Sequence, residues 1–149
     1  MELILAHVGP RPGSSDDFTA LVERYLKRAS ALMPCEAMSF RTQDDLLAWL
    51  DRRPGRVPPV PVMLDSRGRQ MSSEEFASWI GQRRDEGIRQ LVFAIGPPDG
   101  WSDEARRRAR LLLSLGPLTM AHALARLVLA EQLYRACTIL AGHPYHVGH

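Results

Sequence analysis

The chain reads as an α/β domain built on a mostly parallel sheet flanked by helices. Three observations predict this. Apolar runs of strand length alternate with segments of helical periodicity along all 149 residues. Leu91 to Ile95 is continuously apolar, as a strand buried on both faces must be. Turn residues then follow apolar runs at Gly9-Pro10 and Gly96-Pro97-Pro98, at the strand ends where such sheets bind ligands.

Glu2 to Val8 is the first strand, closed by Gly9 and Pro10. Ser14 or Ser15 is placed to cap the helix that follows, where Phe18, Leu21, Val22, Tyr25 and Leu26 make one apolar face. Glu36 to Phe40 is the second strand, and Thr42 caps a short helix carrying Leu46, Leu47, Trp49 and Leu50. Arg52 to Pro59, with three prolines and three arginines, is a cationic loop. Val60 to Leu64 resumes as a strand. Ser72 and Glu75 have the spacing of a capping box ahead of Phe76, Trp79 and Ile80, in a helix that Gly87 ends. Leu91 to Ile95 is the fourth strand. Ser102 then caps a short helix with acids in its first turn and arginines toward its end. Leu111 to Leu115 is the last strand, and His122 to Leu140 is a long final helix followed by a polar tail.

The length suits one compact domain, residues 1–149. With 45% hydrophobic and 24% charged residues the chain is globular, and a net charge of +2 is compatible with a polyanionic partner without requiring one. Cys35 and Cys137 sit in no metal-ligand or disulfide pattern and read as buried thiols. The five histidines form no ligand cluster either, so no metal is expected. No stretch approaches a membrane span, and Met1 to Val8 lacks a basic leader, which together predict a cytoplasmic protein without a membrane partner.

The most specific signal lies in the last third: Leu115-Gly116-Pro117-Leu118-Thr119-Met120-Ala121-His122, then Arg126, then Glu131 to Ala136, then His143-Pro144-Tyr145-His146. With Val8-Gly9, Tyr25, Lys27-Arg28, Leu64-Asp65, Gly68 and Phe93 to Gly100, these residues make the chain similar to the RlmH family of SPOUT-class enzymes over essentially its whole length. The resemblance implies a C-terminal trefoil knot and a homodimer. It also implies S-adenosylmethionine as methyl donor and, as substrate, N3 of a pseudouridine in the subunit-bridge hairpin of 23S rRNA within the ribosome.

Carried onto this sequence, the resemblance implies cofactor contacts at Leu64, Gly96, Leu115, Gly116, Pro117, Leu118, Thr119 and Met120. A residue without Cβ at Gly96 would let a ligand approach the backbone, and peptide groups of the Leu115 to Met120 loop could bond an adenine edge. The implied catalytic set is His122, Arg126, Tyr145 and His146. His122 and Arg126, four apart, share a helix face and could hold a phosphate or stabilise the anion left when the N3 proton departs. Tyr145 and His146 lie in a tail that the resemblance folds back over the cofactor pocket and the subunit boundary. Glu131 and Arg135 are spaced for a supporting ion pair, and Tyr134 reads as a core or interface aromatic.

Two positions depart from the family pattern: Pro97 stands where a second glycine is usual, and Ala121 where a proline is usual. Pro97 removes an N–H from the pocket. Two other readings therefore stand beside the first: a SPOUT methyltransferase with another RNA substrate, and a ribosome-associated RNA-binding protein that has lost cofactor affinity.

Overall fold

The structure is a computed structural model that describes residues 1–13, 16–52 and 57–147. Its elements in chain order are β1 (Glu2–Val8), α1 (Asp17–Ser30), β2 (Cys35–Phe40), α2 (Gln43–Asp51), β3 (Val60–Gln70), α3 (Ser73–Asp85), β4 (Gln90–Ile95), α4 (Asp103–Arg108), β5 (Leu111–Ser114) and α5 (His122–Ala141), followed by a 3₁₀ turn, Pro144–His146. The five strands form one sheet in the order β2-β1-β4-β3-β5, and every pairing is parallel.

Alternation along the central strands separates two apolar layers. Leu3 and Leu5 of β1 face the same layer as Leu91, Phe93 and Ile95 of β4, where they pack with α1, α3 and α5. Ile4, Ala6 and Val8, with Val92 and Ala94, face the other layer and pack with Leu46, Leu47 and Leu50 of α2 and Ala105 of α4. Burial on both faces explains why β1 and β4 read as unbroken apolar runs. Helix α5 leaves edge strand β5 and returns across the sheet to pack on α1 and α3.

Local signals place most helix starts. Thr42, Ser72 and Ser102 accept hydrogen bonds from the backbone N–H groups of Asp45, Glu75 and Ala105, and the capping box at Ser72 and Glu75 is complete. The cap of α1 is Asp16, which accepts from Phe18 N–H. Ser14 and Ser15, the expected caps, lie outside the described residues, as do Arg53 to Arg56 of the cationic loop. Helix α5 ends at Gly142, whose left-handed φ of 71° lets its N–H reach back to Ile139 O and Thr138 O.

The largest boundary difference is in β3, which runs to Gln70 rather than stopping at Leu64. Its register against β5 shifts between Leu64 and Arg69, and both of these residues pair with Leu113. Gly68 makes this possible, because a Cβ there would stand 2.6 Å from the backbone C and O atoms of Leu112. The thiols also differ from expectation: Cys137 is buried, whereas Cys35, at the start of an edge strand, is half-buried.

One buried polar residue of β1 bears on pH. Among the described atoms the Nδ1 of His7 has no partner, while its Nε2 lies 3.0 Å from Pro10 O, an acceptor, and so carries the hydrogen. Burial pulls this imidazole below its ordinary value, the Pro10 bond opposes that, and the charges of His122 and Arg126 add to the lowering. Below a pH of about 6.5 the unfolded chain therefore takes up a proton that the folded chain refuses, and stability falls.

Two outcomes are expected. Gly68→Ala lowers the unfolding free energy by about 1–3 kcal/mol, since only backbone can yield, whereas Gly13→Ala, with nothing within 4 Å of the new Cβ, is near neutral; thermal and urea denaturation read both. The difference in stability between wild type and His7→Ala shifts in favour of the variant as pH falls from about 7.5 to about 5. A pH-independent difference would contradict the neutral, buried imidazole.

Candidate active site

The middle of β3, at its register shift, and the C-terminal ends of β4 and β5 open into a cavity of about 530 Å³, within the range of small-molecule sites. All eight residues expected around a cofactor line it: Leu64 from β3, Gly96 after β4, and Leu115 to Met120 after β5. His122, the first residue of α5, closes one side.

The loop after β5 is held by Ser114, whose Oγ accepts from Gly116 N–H and donates to Gly116 O, both at 3.1 Å. Gly116 takes φ 127°, a backbone that side chains rarely tolerate. Beyond it, no hydrogen bond within the described residues engages the peptide groups of Leu118, Thr119 and Met120. Leu118 is 83% exposed. Free peptide donors and acceptors beside an uncovered leucine fit a planar heterocycle with a polar edge.

Gly96 is required for a reason other than the expected one. A Cβ there would meet the Trp101 ring at 2.7 Å, so the close approach is made by this indole. Trp101 Nε1 in turn donates to Leu64 O at 2.9 Å, joining the middle of β3 to the end of β4. The Gly96 carbonyl accepts from His122 Nε2 at 2.6 Å. Because a carbonyl only accepts, Nε2 carries the hydrogen and Nδ1 is the atom left for proton exchange.

The cavity wall also holds an ion pair that sequence reasoning missed. Arg106 Nη2 lies 2.8 Å from Asp65 Oδ2, and the Asp65 side chain is only 5% exposed. Asp65 Oδ1 also accepts from Arg67 N–H at 2.9 Å. A carboxylate directly after an apolar strand was the available signal; its partner, from α4, could not be read locally.

The four expected catalytic residues are not brought together in one chain. The His7 and His122 rings meet edge to face, with centroids 4.8 Å apart, and His7 pairs with Ile95 in the sheet, so both rings lie across the ends of β1 and β4. Arg126 turns toward α1, donating to Thr19 Oγ1 at 3.0 Å, and lines a different cavity. Tyr145 and His146 lie at the far end of α5. Tyr145 donates to Glu131 Oε1 at 3.2 Å, and His146 bonds Glu74 Oε1 at 2.7 Å and Arg135 Nη1 at 3.0 Å. Burial, reinforced by the Glu131 charge, holds the Tyr145 phenol above its ordinary value, so it remains a donor. Glu131 and Arg135 pair as their spacing predicts, with a closest approach of 2.6 Å. Tyr134 is buried between Tyr25 and Tyr145. Among the described residues there is no cluster of three or more metal-ligating side chains, and no helix is long and apolar enough to cross a membrane.

Comparison with known proteins bears on the family and the fold. Residues 1–146 match a family model described as a predicted SPOUT methyltransferase. A protein of Koribacter versatilis named ribosomal RNA large subunit methyltransferase H is 46% identical over 149 residues, covering 100% of both chains. A Brucella anthropi protein of the same name is 59% identical over 85 residues, 57% of this chain and 53% of its own length. Among solved structures, the SpoU methyltransferase AviRb of Streptomyces viridochromogenes, in complex with AdoMet, aligns with TM-score 0.50 and 15% identity over 96% of this chain and 58% of its own. A probable methylase family protein of Haemophilus influenzae aligns with TM-score 0.52 and 10% identity over 97% of this chain and 69% of its own, a likeness of fold. On the full-length identity and the family match, this chain belongs to the SPOUT methyltransferases and, within them, to the ribosomal RNA large subunit methyltransferase H family.

Proposed function

We propose that the chain is a single-domain S-adenosylmethionine-dependent methyltransferase that modifies N3 of a pseudouridine in the subunit-bridge hairpin of 23S rRNA, in assembled ribosomes, as a cytoplasmic homodimer with a C-terminal trefoil knot. The observation that carries this reading is one cavity lined by every expected cofactor residue and closed by His122. Family membership supports the rRNA substrate.

The residues present fit the cofactor. Unpaired peptide groups at Leu118 to Met120 serve an adenine edge, and the Asp65–Arg106 pair offers both charges to the hydroxyl, ammonium and carboxylate groups of the rest of the molecule. S-adenosylmethionine supplies a methyl group on a sulfonium, so no metal is needed. The protein's task is to hold the target nitrogen in line and to favour loss of its proton. His122 is placed for this, with Nε2 anchored on Gly96 O and Nδ1 free to meet the base.

The tail has a different geometry. Arg135, which holds His146, is thirteen residues along α5 from His122, roughly 20 Å of helix. Tyr145 and His146 therefore serve the pocket of a second copy in this reading. Exposed Phe18 and Leu124, on two helices that pack together, offer apolar surface for that copy. Pro97 supports the reading as a binding protein with lost cofactor affinity, because it lines the cavity without an N–H to donate.

Calorimetry with S-adenosylmethionine, without metal, is expected to show binding; none at millimolar ligand would favour the degenerate reading. His122→Ala should lower methylation of ribosomes by about one to two decades while changing cofactor affinity much less. Mixing His122→Ala chains with chains truncated after Gly142 should recover part of the activity that each lacks alone. Complete failure to complement would remove the tail from the partner's pocket.

A further inference from the structure

Among the described residues, Arg126 is the only buried lysine or arginine, its side chain 8% exposed. Of its five N–H donors, one at Nη2 is used on Thr19 Oγ1 at 3.0 Å. The nearest carboxylate oxygen, Asp16 Oδ2, stands 3.9 Å away, too far for a hydrogen bond, while Asp16 Oδ1 is occupied in capping α1. The remaining donors meet no partner in the described chain. Arg126 lines a cavity of about 440 Å³ whose wall also includes Arg11, Thr19, Glu23 and Ser39. Arg11 and Ser39 also line an adjoining cavity of about 670 Å³ with Phe40 and Arg41. The two together form a trough across the ends of β1 and β2 that carries three guanidinium groups.

A desolvated guanidinium so thinly paired is expensive to keep, and burial indeed works against its charge while Asp16 and Glu23 support it. An anion with several acceptor oxygens would complete it, and the planar fork of arginine suits a phosphate. Position selects which phosphate. Arg126 is four residues, about 6 Å, along α5 from His122, and the His7 ring that packs against His122 feels the Arg126 charge. A group bound here would lie along the same helix as His122, which lines the methyl-transfer cavity.

We propose that the cavity of Arg11, Thr19, Ser39 and Arg126 is a phosphodiester subsite that seats the RNA backbone beside the nucleotide being methylated, with Arg126 as buried fork and Arg11 as exposed second cation. The assignment rests on the RNA-methylation reading above and adds the surface by which the substrate is held.

The test measures binding of the intact protein to ribosomes that lack the modification, by co-sedimentation across a salt series, alongside KM for the same ribosomes and cofactor affinity by calorimetry. Arg11→Gln should weaken ribosome binding by about threefold to tenfold and flatten the logarithmic salt dependence by about 0.7–0.9, with cofactor affinity unchanged. Arg126→Gln should weaken it by about tenfold or more. Arg126→Lys, which keeps the charge but loses the fork, should recover only part. Arg84→Gln, on α3, should match wild type. Wild-type ribosome affinity and salt dependence in Arg11→Gln, with methylation intact, overturn the subsite alone. Inorganic phosphate that binds wild type and not Arg126→Gln, while ribosome affinity is unmoved by either variant, assigns the cavity to free phosphate and overturns the backbone assignment. A wild-type chain that neither binds nor methylates ribosomes overturns the functional reading and the subsite with it.

Discussion

The absence of a side chain at Gly96 is the constraint on which the rest of the site depends. Trp101 enters the space that a Cβ would occupy and donates to Leu64 O, and the Gly96 carbonyl accepts from His122. Through one residue, the middle of β3, the end of β4, the chain entering α4 and the start of α5 are set relative to one another. The Leu115 to Met120 loop hangs between these fixed points, which is how a loop with unpaired peptide groups keeps its place. Sub-ångström displacement there would be felt directly in the alignment of a methyl group with its acceptor.

Two ion pairs beside the strand ends differ in how well they are closed. Asp65 with Arg106 and Arg126 with Asp16 are both partly or largely removed from water, where the gain from attraction is offset by desolvation. The first pair is close and well bonded; the second is long. The difference matches a wall already balanced on one side and, on the other, a cation that still has capacity for an anion. The His7 ring meets the His122 ring edge to face, linking the end of β1 to the start of α5.

The tail follows the same economy of contacts at the other end of α5. Glu131 accepts from Arg135 and Tyr145, Arg135 also meets His146, and His146 reaches Glu74 at the start of α3. Arg135 stacks over the Tyr145 ring as well, 5.0 Å from its centroid. This network orders a segment that its composition alone would leave free, and presents it far from the His122 of its own chain.

Features determined within a few residues were legible in the sequence. Strands buried on both faces, the caps at Thr42, Ser72 and Ser102 and the Glu131–Arg135 pair all follow from spacing, because the groups concerned are covalent neighbours. Family resemblance added Leu64, Gly96, the Leu115 to Met120 segment and the tail. Tertiary structure alone decided that the occupant of Gly96's missing side chain is an indole, that β3 continues past Leu64 because β5 offers it partners, that Asp65 finds Arg106, and that Arg126 bonds Thr19, 107 residues away, rather than joining His122. Periodicity reports which face of an element is apolar. Which side chains from distant elements meet at the strand ends depends on the order β2-β1-β4-β3-β5 and on the return of α5 across the sheet, and neither is written in any local run of residues.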